Sequence, residues 1–177
     1  MRFTAPLRPH VIGKATYRVL VLPPDVDAAL RKMETKRVVV TLNDTLTYQG
    51  AVLSRGPGRG RYVMVNVEQR KTLGLAEDQM VQVRLAIDDS PYGMPVPVAF
   101  QTLLEEDAAL QTAFDALTPP MQRRLLYTVG KPKLETTRLQ KAVGAAAYLE
   151  EVGSEEFTYP GLLAWLRKAG NDLKQLY

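Results

Sequence analysis

Cysteine is absent from the 177-residue chain, and histidine and tryptophan occur once each. The first absence excludes disulfides, thiol nucleophiles and cysteine-ligated zinc, and a single imidazole leaves little for acid–base or metal chemistry. Uninterrupted apolar runs such as Val19-Leu20-Val21-Leu22 stop at four or five residues, far short of the roughly 20 that a membrane-spanning helix needs. Met1 to Pro6 leads into no apolar core with a small-residue cleavage site, so no secretory signal is read and a cytoplasmic location is expected. What is present is ordinary globular material. With 46% hydrophobic and 24% charged residues, disorder, collagen and coiled coil are excluded. The net charge of +4 is unevenly placed: residues 1–90 hold 14 Lys/Arg against 9 Asp/Glu, and the remainder 9 against 10. That excess in the first half either attracts phosphate or is a solvated surface.

The first ninety residues read as short strands. Tyr17–Leu22, Arg37–Leu42, Thr47–Leu53, Tyr62–Val67 and Val81–Leu85 are rich in β-branched and aromatic residues, several alternating as half-buried strands must. Asn43-Asp44 suits the positive φ of a tight hairpin, and Arg55–Gly60 reads as a longer exposed one. Two helical stretches lie between strands. One runs from Pro24 to Lys32 with proline at an early position, and the other from Glu68 to Leu73 stops at Gly74. An offset of 45 residues aligns Tyr17 with Tyr62, Leu20 with Val65, Leu30 with Leu75, Val38 with Val83 and Val40 with Leu85. Each strand–helix–strand unit is too small to bury its own apolar face, so two are expected to pack into one closed, pseudo-symmetric barrel.

Residues 91–99 are rich in proline and read as a linker between a barrel domain at 1–90 and a helical domain at 100–177. Beyond the linker the apolar period changes from 2 to 3.6. Leu110, Ala113, Phe114 and Leu117 share one helical face. Thr118-Pro119 opens a helix that aligns Met121, Leu125 and Val129 and ends at Gly130. A third helix aligns Leu139, Ala142, Val143, Ala146 and Ala147, its small residues permitting close approach, and stops near Gly153. A fourth runs from Tyr159-Pro160 through Leu162, Leu163, Trp165 and Leu166 to Gly170. The fold class expected is α+β.

Asp107–Pro119, which contains Phe114 and Pro119, together with Gly130-Lys131, Glu135-Thr136 and Arg138 with Lys141, resembles the YdeI or OmpD-associated family of bacteria. The family's phrase is F-x-x-L-(S/T)-P, a basic helix, A-K and then E-T-R. Here Gly130 stands for the usual Ala, one residue is inserted around Pro132 to Leu134, and Thr137 follows Glu-Thr, so that Arg138 comes one position late. Residues 3–89 are similar to the small domain of unknown function that often precedes it, through Val21-Leu22-Pro23, Arg37–Val40 with Asn43, the 56–60 loop, Leu73-Gly74-Leu75 with Asp78, and Val81-Gln82-Val83. The resemblance implies a double-split barrel of the AbrB type. It also implies a part in protection against bacteriocins or cationic peptides.

Reactive constellations are few. His10 would have to be the base of any Ser-His-Asp arrangement, and Ser54, Ser90 and Ser154 lie in no G-x-S-x-G elbow. His10 reads instead as a loop residue ahead of the first strand, and no metal or cofactor is expected. Glu105-Glu106-Asp107 reads as a charged helix start. The Arg55–Arg61 loop lacks the Lys-Ser/Thr of a Walker motif. It is either a mobile hairpin tip or a phosphate footprint formed by Arg55, Arg59 and Arg61 with Arg70, Lys71, Lys36 and Arg37. Tyr159, Trp165 and Tyr177 could offer a stacking surface, although helical spacing favours core packing for Trp165. The expectation is therefore a non-enzymatic binding protein with a protein or peptide partner. The alternative is a nucleic-acid-binding regulator using the basic face.

Overall fold

The computed structural model describes residues 1–174 and divides into two compact units, Met1–Gly93 and the helices from Met94 onward. The first holds seven strands: β1 (Arg2–Ile12), β2 (Ala15–Val21), β3 (Arg37–Leu42), β4 (Leu46–Ala51), β5 (Leu53–Ser54), β6 (Arg61–Val65) and β7 (Met80–Ile87). They form one antiparallel sheet in the order β4-β3-β7-β1-β2-β6-β5. Helix α1 (Pro24–Lys32) joins β2 to β3, and α2 (Val67–Leu73) joins β6 to β7. The 45-residue offset reappears in the ladders. Val19 pairs with Met64 and Val40 with Leu85, and the offset carries Arg18↔Val65 onto Leu20↔Val63 and Val38↔Ile87 onto Leu42↔Val83. The inward residues of both halves, among them Leu20, Val38, Val40, Val63, Val83 and Leu85, make one core.

The closed barrel expected from the sequence does not form: β4 and β5 are the two edges of the sheet and no ladder joins them. They are separated in the chain by Val52 alone, whose N–H donates to Lys36 O at 2.9 Å rather than to a strand across the gap. With β5 only two residues long, there is too little backbone for a closing ladder. Across that gap the Tyr48 hydroxyl donates to Met64 O at 2.8 Å. Asn43 and Asp44 both take the positive φ their hairpin requires, 49° and 50°. The sequence reading missed β1, because Pro6 and Pro9 argue against a central strand. Residues 2–6 ladder with β7 and residues 7–12 with β2, so each proline nitrogen can face the side without a partner.

The second unit contains α3 (Val98–Glu106), α4 (Ala108–Asp115), α5 (Pro119–Gly130), α6 (Glu135–Glu156, broken at Gly153 with φ 69°) and α7 (Tyr159–Lys174). Helix α3 is an addition to the four expected and begins inside the proline-rich stretch. Glu105 and Glu106 therefore end a helix instead of starting one. Asp107 caps the next, accepting from the Ala109 and Leu110 N–H groups at 2.8 and 3.0 Å. Phe100 and Phe114 are fully buried edge to face, 5.3 Å between centroids, and the buried Gln122 amide donates to Phe114 O at 3.1 Å. Phe114 is thus a core residue. Pro119 fills the first helical position of α5. Ala142, Ala145 and Ala146 are buried, and a Cβ on Gly144 would come within 2.8 Å of Leu166 Cδ2, so α6 packs closely on its neighbours.

Candidate functional site

The seven basic residues marked in the sequence go to different places. Arg61, with 12% of its side chain exposed, turns inward, its Nε donating to the Asp27 carboxylate and its Nη2 to Asp27 O at 2.8 Å. Arg31 binds the other carboxylate oxygen at 3.1 and 3.2 Å from the exposed side. Burial alone would raise the Asp27 pKa, but hydrogen bonds and charge from Arg61 and Arg31 hold it below the ordinary carboxylate range. Arg37 donates to Gly93 O and lies 3.8 Å from the buried Asp88. The Asp88 carboxyl also accepts from Ser90 Oγ at 2.5 Å and Gln49 Nε2 at 3.0 Å; against the upward push of burial these partners keep its pKa low. Arg70 is half-buried with its Nε enclosed. Arg55, Arg59, Lys36 and Lys71 are exposed, and Arg59 lines a cavity of about 530 Å³ with Arg31 and Asp27.

His10 lies within β1, half-buried, its ring edge-on to Tyr62 at 4.9 Å, which corrects its expected place in a loop. Among the described residues no group of three or more His, Asp or Glu side chains could hold a metal ion. No helix of the described residues is long and apolar enough to cross a membrane. Tyr159 is half-buried, its hydroxyl 3.3 Å from Thr128 Oγ1 and its ring beneath Arg124. Tyr177 lies outside the described residues.

Of the family-phrase residues, Phe114 and Pro119 are structural, whereas Lys131, Glu135 and Arg138 converge in the helical unit. A cavity of about 670 Å³ opens between the start of α3, the end of α5 and the start of α6. Its apolar walls include Pro97, Val98, Leu126, Tyr127 and Leu139, and its charged lining is Lys131, Glu135 and Arg138. Thr136 lies exposed in the first turn of α6, beside this lining. A Cβ at Gly130 would sit 3.1 Å from Pro97 Cγ, so the glycine found where alanine is usual lets α5 end against the proline-rich segment that forms one wall. A second cavity of about 580 Å³ adjoins at Leu139 and continues along Val143 and Ala147 of α6 to Trp165 and Lys168 of α7. Together they form one groove.

Among the described residues of this unit, four of the six exposed large apolar side chains line the two cavities, the others being Leu134 and Leu163. Val98 is 80% exposed, Tyr127 54%, Leu139 52% and Val143 50%. The sequence reading put Leu139 and Val143 on one packing face with Ala142 and Ala146, and here it is corrected. Ala142 and Ala146 face inward, Leu139 and Val143 face out, and Ala147, aligned with them in the sequence, lines the second cavity. Trp165 stands at the boundary, half-buried against Tyr148 at 5.7 Å, with its ring in the second cavity's lining. The Lys131 ammonium lies over the Tyr127 ring, 5.7 Å from its centroid.

Residues 3–85 match the family model of the domain of unknown function DUF1905, and residues 94–151 match that of the family described as bacteriocin-protection, YdeI or OmpD-associated. The chain joins a DUF1905 domain to a YdeI or OmpD-associated domain. No curated protein matches it. The YdeI or OmpD-associated match takes in α3, α4, α5 and α6 up to Glu151, so it contains the whole first cavity and the α6 side of the second. Trp165 and Lys168 lie beyond it. Val98, Tyr127, Val143 and Lys168 were not marked by sequence reasoning as site residues, and Trp165 was weighed as a stacking residue but favoured as core. The available signal was a helix, α6, carrying apolar residues on more than one face.

Proposed function

We propose that the protein is a cytoplasmic, non-enzymatic interaction protein of the bacteriocin-protection group, and that it acts by holding a partner in the groove of its helical unit. The observation that carries this reading is a coincidence of position: Lys131, Glu135 and Arg138 of the family phrase line the same cavity as Val98, Tyr127 and Leu139. A contiguous apolar surface with a polar rim is the usual form of a protein contact site. The family description supports the link to protection. The DUF1905 domain pairs buried charges internally, as in Asp27 with Arg61.

The test is complementation. A host strain lacking the gene should become more sensitive to bacteriocins or cationic peptides, and the wild-type gene should restore resistance. Leu139→Asp with Val143→Asp should fail to restore it at equal protein abundance, whereas Arg55→Ser with Arg59→Ser should succeed. Full rescue by the groove variant, or no phenotype on deletion, refutes the reading.

A further inference from the structure

Resting on that reading of the groove, we infer the chemistry of its occupant: an acidic amphipathic helix, seated with its apolar stripe on Leu139, Val143 and Tyr127 and its carboxylates toward Lys131, Arg138 and Lys168. The charges lining the two cavities are three cations against one anion, Glu135. Among the described residues Lys131 and Arg138 enter no ion pair, so both heads are available to a partner. This differs from the first unit, where Arg61, Arg37 and Arg18 each have a carboxylate.

The shape of the apolar floor selects a helix. Leu139, Val143 and Ala147 follow one another at intervals of four on α6, giving a ridge inclined by about 26° to the helix axis. A partner helix laid beside it presents side chains at the matching i, i+3, i+4 and i+7 positions. Gly144 and Ala147 keep the second cavity's floor low beside Trp165, leaving room for a large apolar anchor. Leu134, which precedes α6, gives no side-chain cap to the first turn, where a partner carboxylate beside Arg138 meets unsatisfied N–H groups. A cationic peptide would bring like charge to all three basic residues. The groove is therefore built for an acidic partner and not for the cationic agents themselves.

Trp165, the chain's single tryptophan, lines the second cavity and reports on its occupation. The full chain is titrated with a helical peptide bearing Leu at i and i+4 and Glu on its flanks, and with the same peptide carrying Lys for Glu. Trp165 fluorescence and calorimetry are followed together. The acidic peptide should bind and change the emission, and the basic one should bind roughly tenfold or more weakly, since three exposed pairs are replaced by repulsion. Leu139→Asp should abolish binding. Lys131→Glu with Arg138→Glu, at an exposed and a half-buried position, should reverse the preference between the two peptides. Equal binding of both peptides, acidic binding that survives Leu139→Asp, or no binding at all overturns the inference. So does concentration-dependent dimerisation that Leu139→Asp removes, because the occupant is then a second copy. If the peptides fail while the groove variant still fails to complement, the partner class is wrong and the interaction reading stands; if the peptides fail and the groove variant complements fully, both are wrong.

Discussion

Replacing Arg61 by Met removes one member of an ion pair whose two side chains are each only 12% exposed. The guanidinium makes two contacts with Asp27, one to the carboxylate and one to the backbone carbonyl, and so ties β6 to α1. Breaking a buried pair from one side typically costs about 3–5 kcal/mol, because the remaining charge stays desolvated. Arg31 still reaches the carboxylate, but its side chain is 61% exposed, so it recovers no more than about 1 kcal/mol. Arg61→Met should therefore destabilise the first unit by about 2–4 kcal/mol at neutral pH. Urea titration followed by amide exchange in β2 and β6 measures it. Adding Asp27→Leu should restore most of the loss, since an apolar replacement of a buried pair is often neutral. Asp27 titrates lower in the folded state than in the unfolded one. The pair's contribution is thus present above about pH 4 and disappears as pH falls through the folded value, so the difference between wild type and Arg61→Met must shrink on acidification. A loss under about 1 kcal/mol at neutral pH, or a gap unchanged by acid, would refute the assignment.

Two further outcomes follow from single side chains. Tyr48→Phe removes the bond to Met64 O across the open edges and should cost about 1–2 kcal/mol in urea unfolding at neutral pH. Burial raises the Tyr48 pKa, so the folded state keeps a proton that the unfolded state releases. That stability is lost as pH rises above about 10, and the deficit of Tyr48→Phe should narrow there. Asn66→Ala breaks the reciprocal cap of α2, in which the Asn66 side chain accepts from Gln69 N and Gln69 Oε1 accepts from Asn66 N, both at 2.8 Å. A loss of about 1 kcal/mol is expected, with faster amide exchange confined to the first turn of α2.

Local chemistry made much of the fold readable before any coordinates. Asn43-Asp44 marked a hairpin because few residues accept two successive positive φ values, Gly74 marked a helix end for the same reason, and the 45-residue offset surfaced as mirrored ladder registers. What stayed hidden depends on partners distant in the chain. Proline argued against β1 because a sequence does not say which side of a strand lacks a neighbour. The inward turn of Arg61 depends on Asp27, 34 residues earlier, whereas sequence alone grouped it with exposed arginines nearby. Lys131, Glu135 and Arg138 were found through resemblance. The residues that give their groove an apolar wall come from α3, α5, α6 and α7, and periodicity cannot predict which stripe of a helix will be left uncovered.

Helix α6 shows why that uncovered stripe carries the functional argument. An ordinary amphipathic helix buries its large apolar residues and exposes small or polar ones. This one buries Tyr148 and Leu149 toward its end, but before them it buries Ala142, Ala145 and Ala146 while Leu139 and Val143 remain about half exposed. Stability does not require that choice, because α6 is packed through its buried alanines, Tyr148 and Leu149, and through Gly144 against Leu166. Substituting polar residues for Leu139 and Val143 should therefore leave stability within about 0.5 kcal/mol, the usual range for surface positions. Side chains that add little to folding and leave apolar area in water are explained by a contact made after folding. Proximity to three basic residues states what that contact must bring.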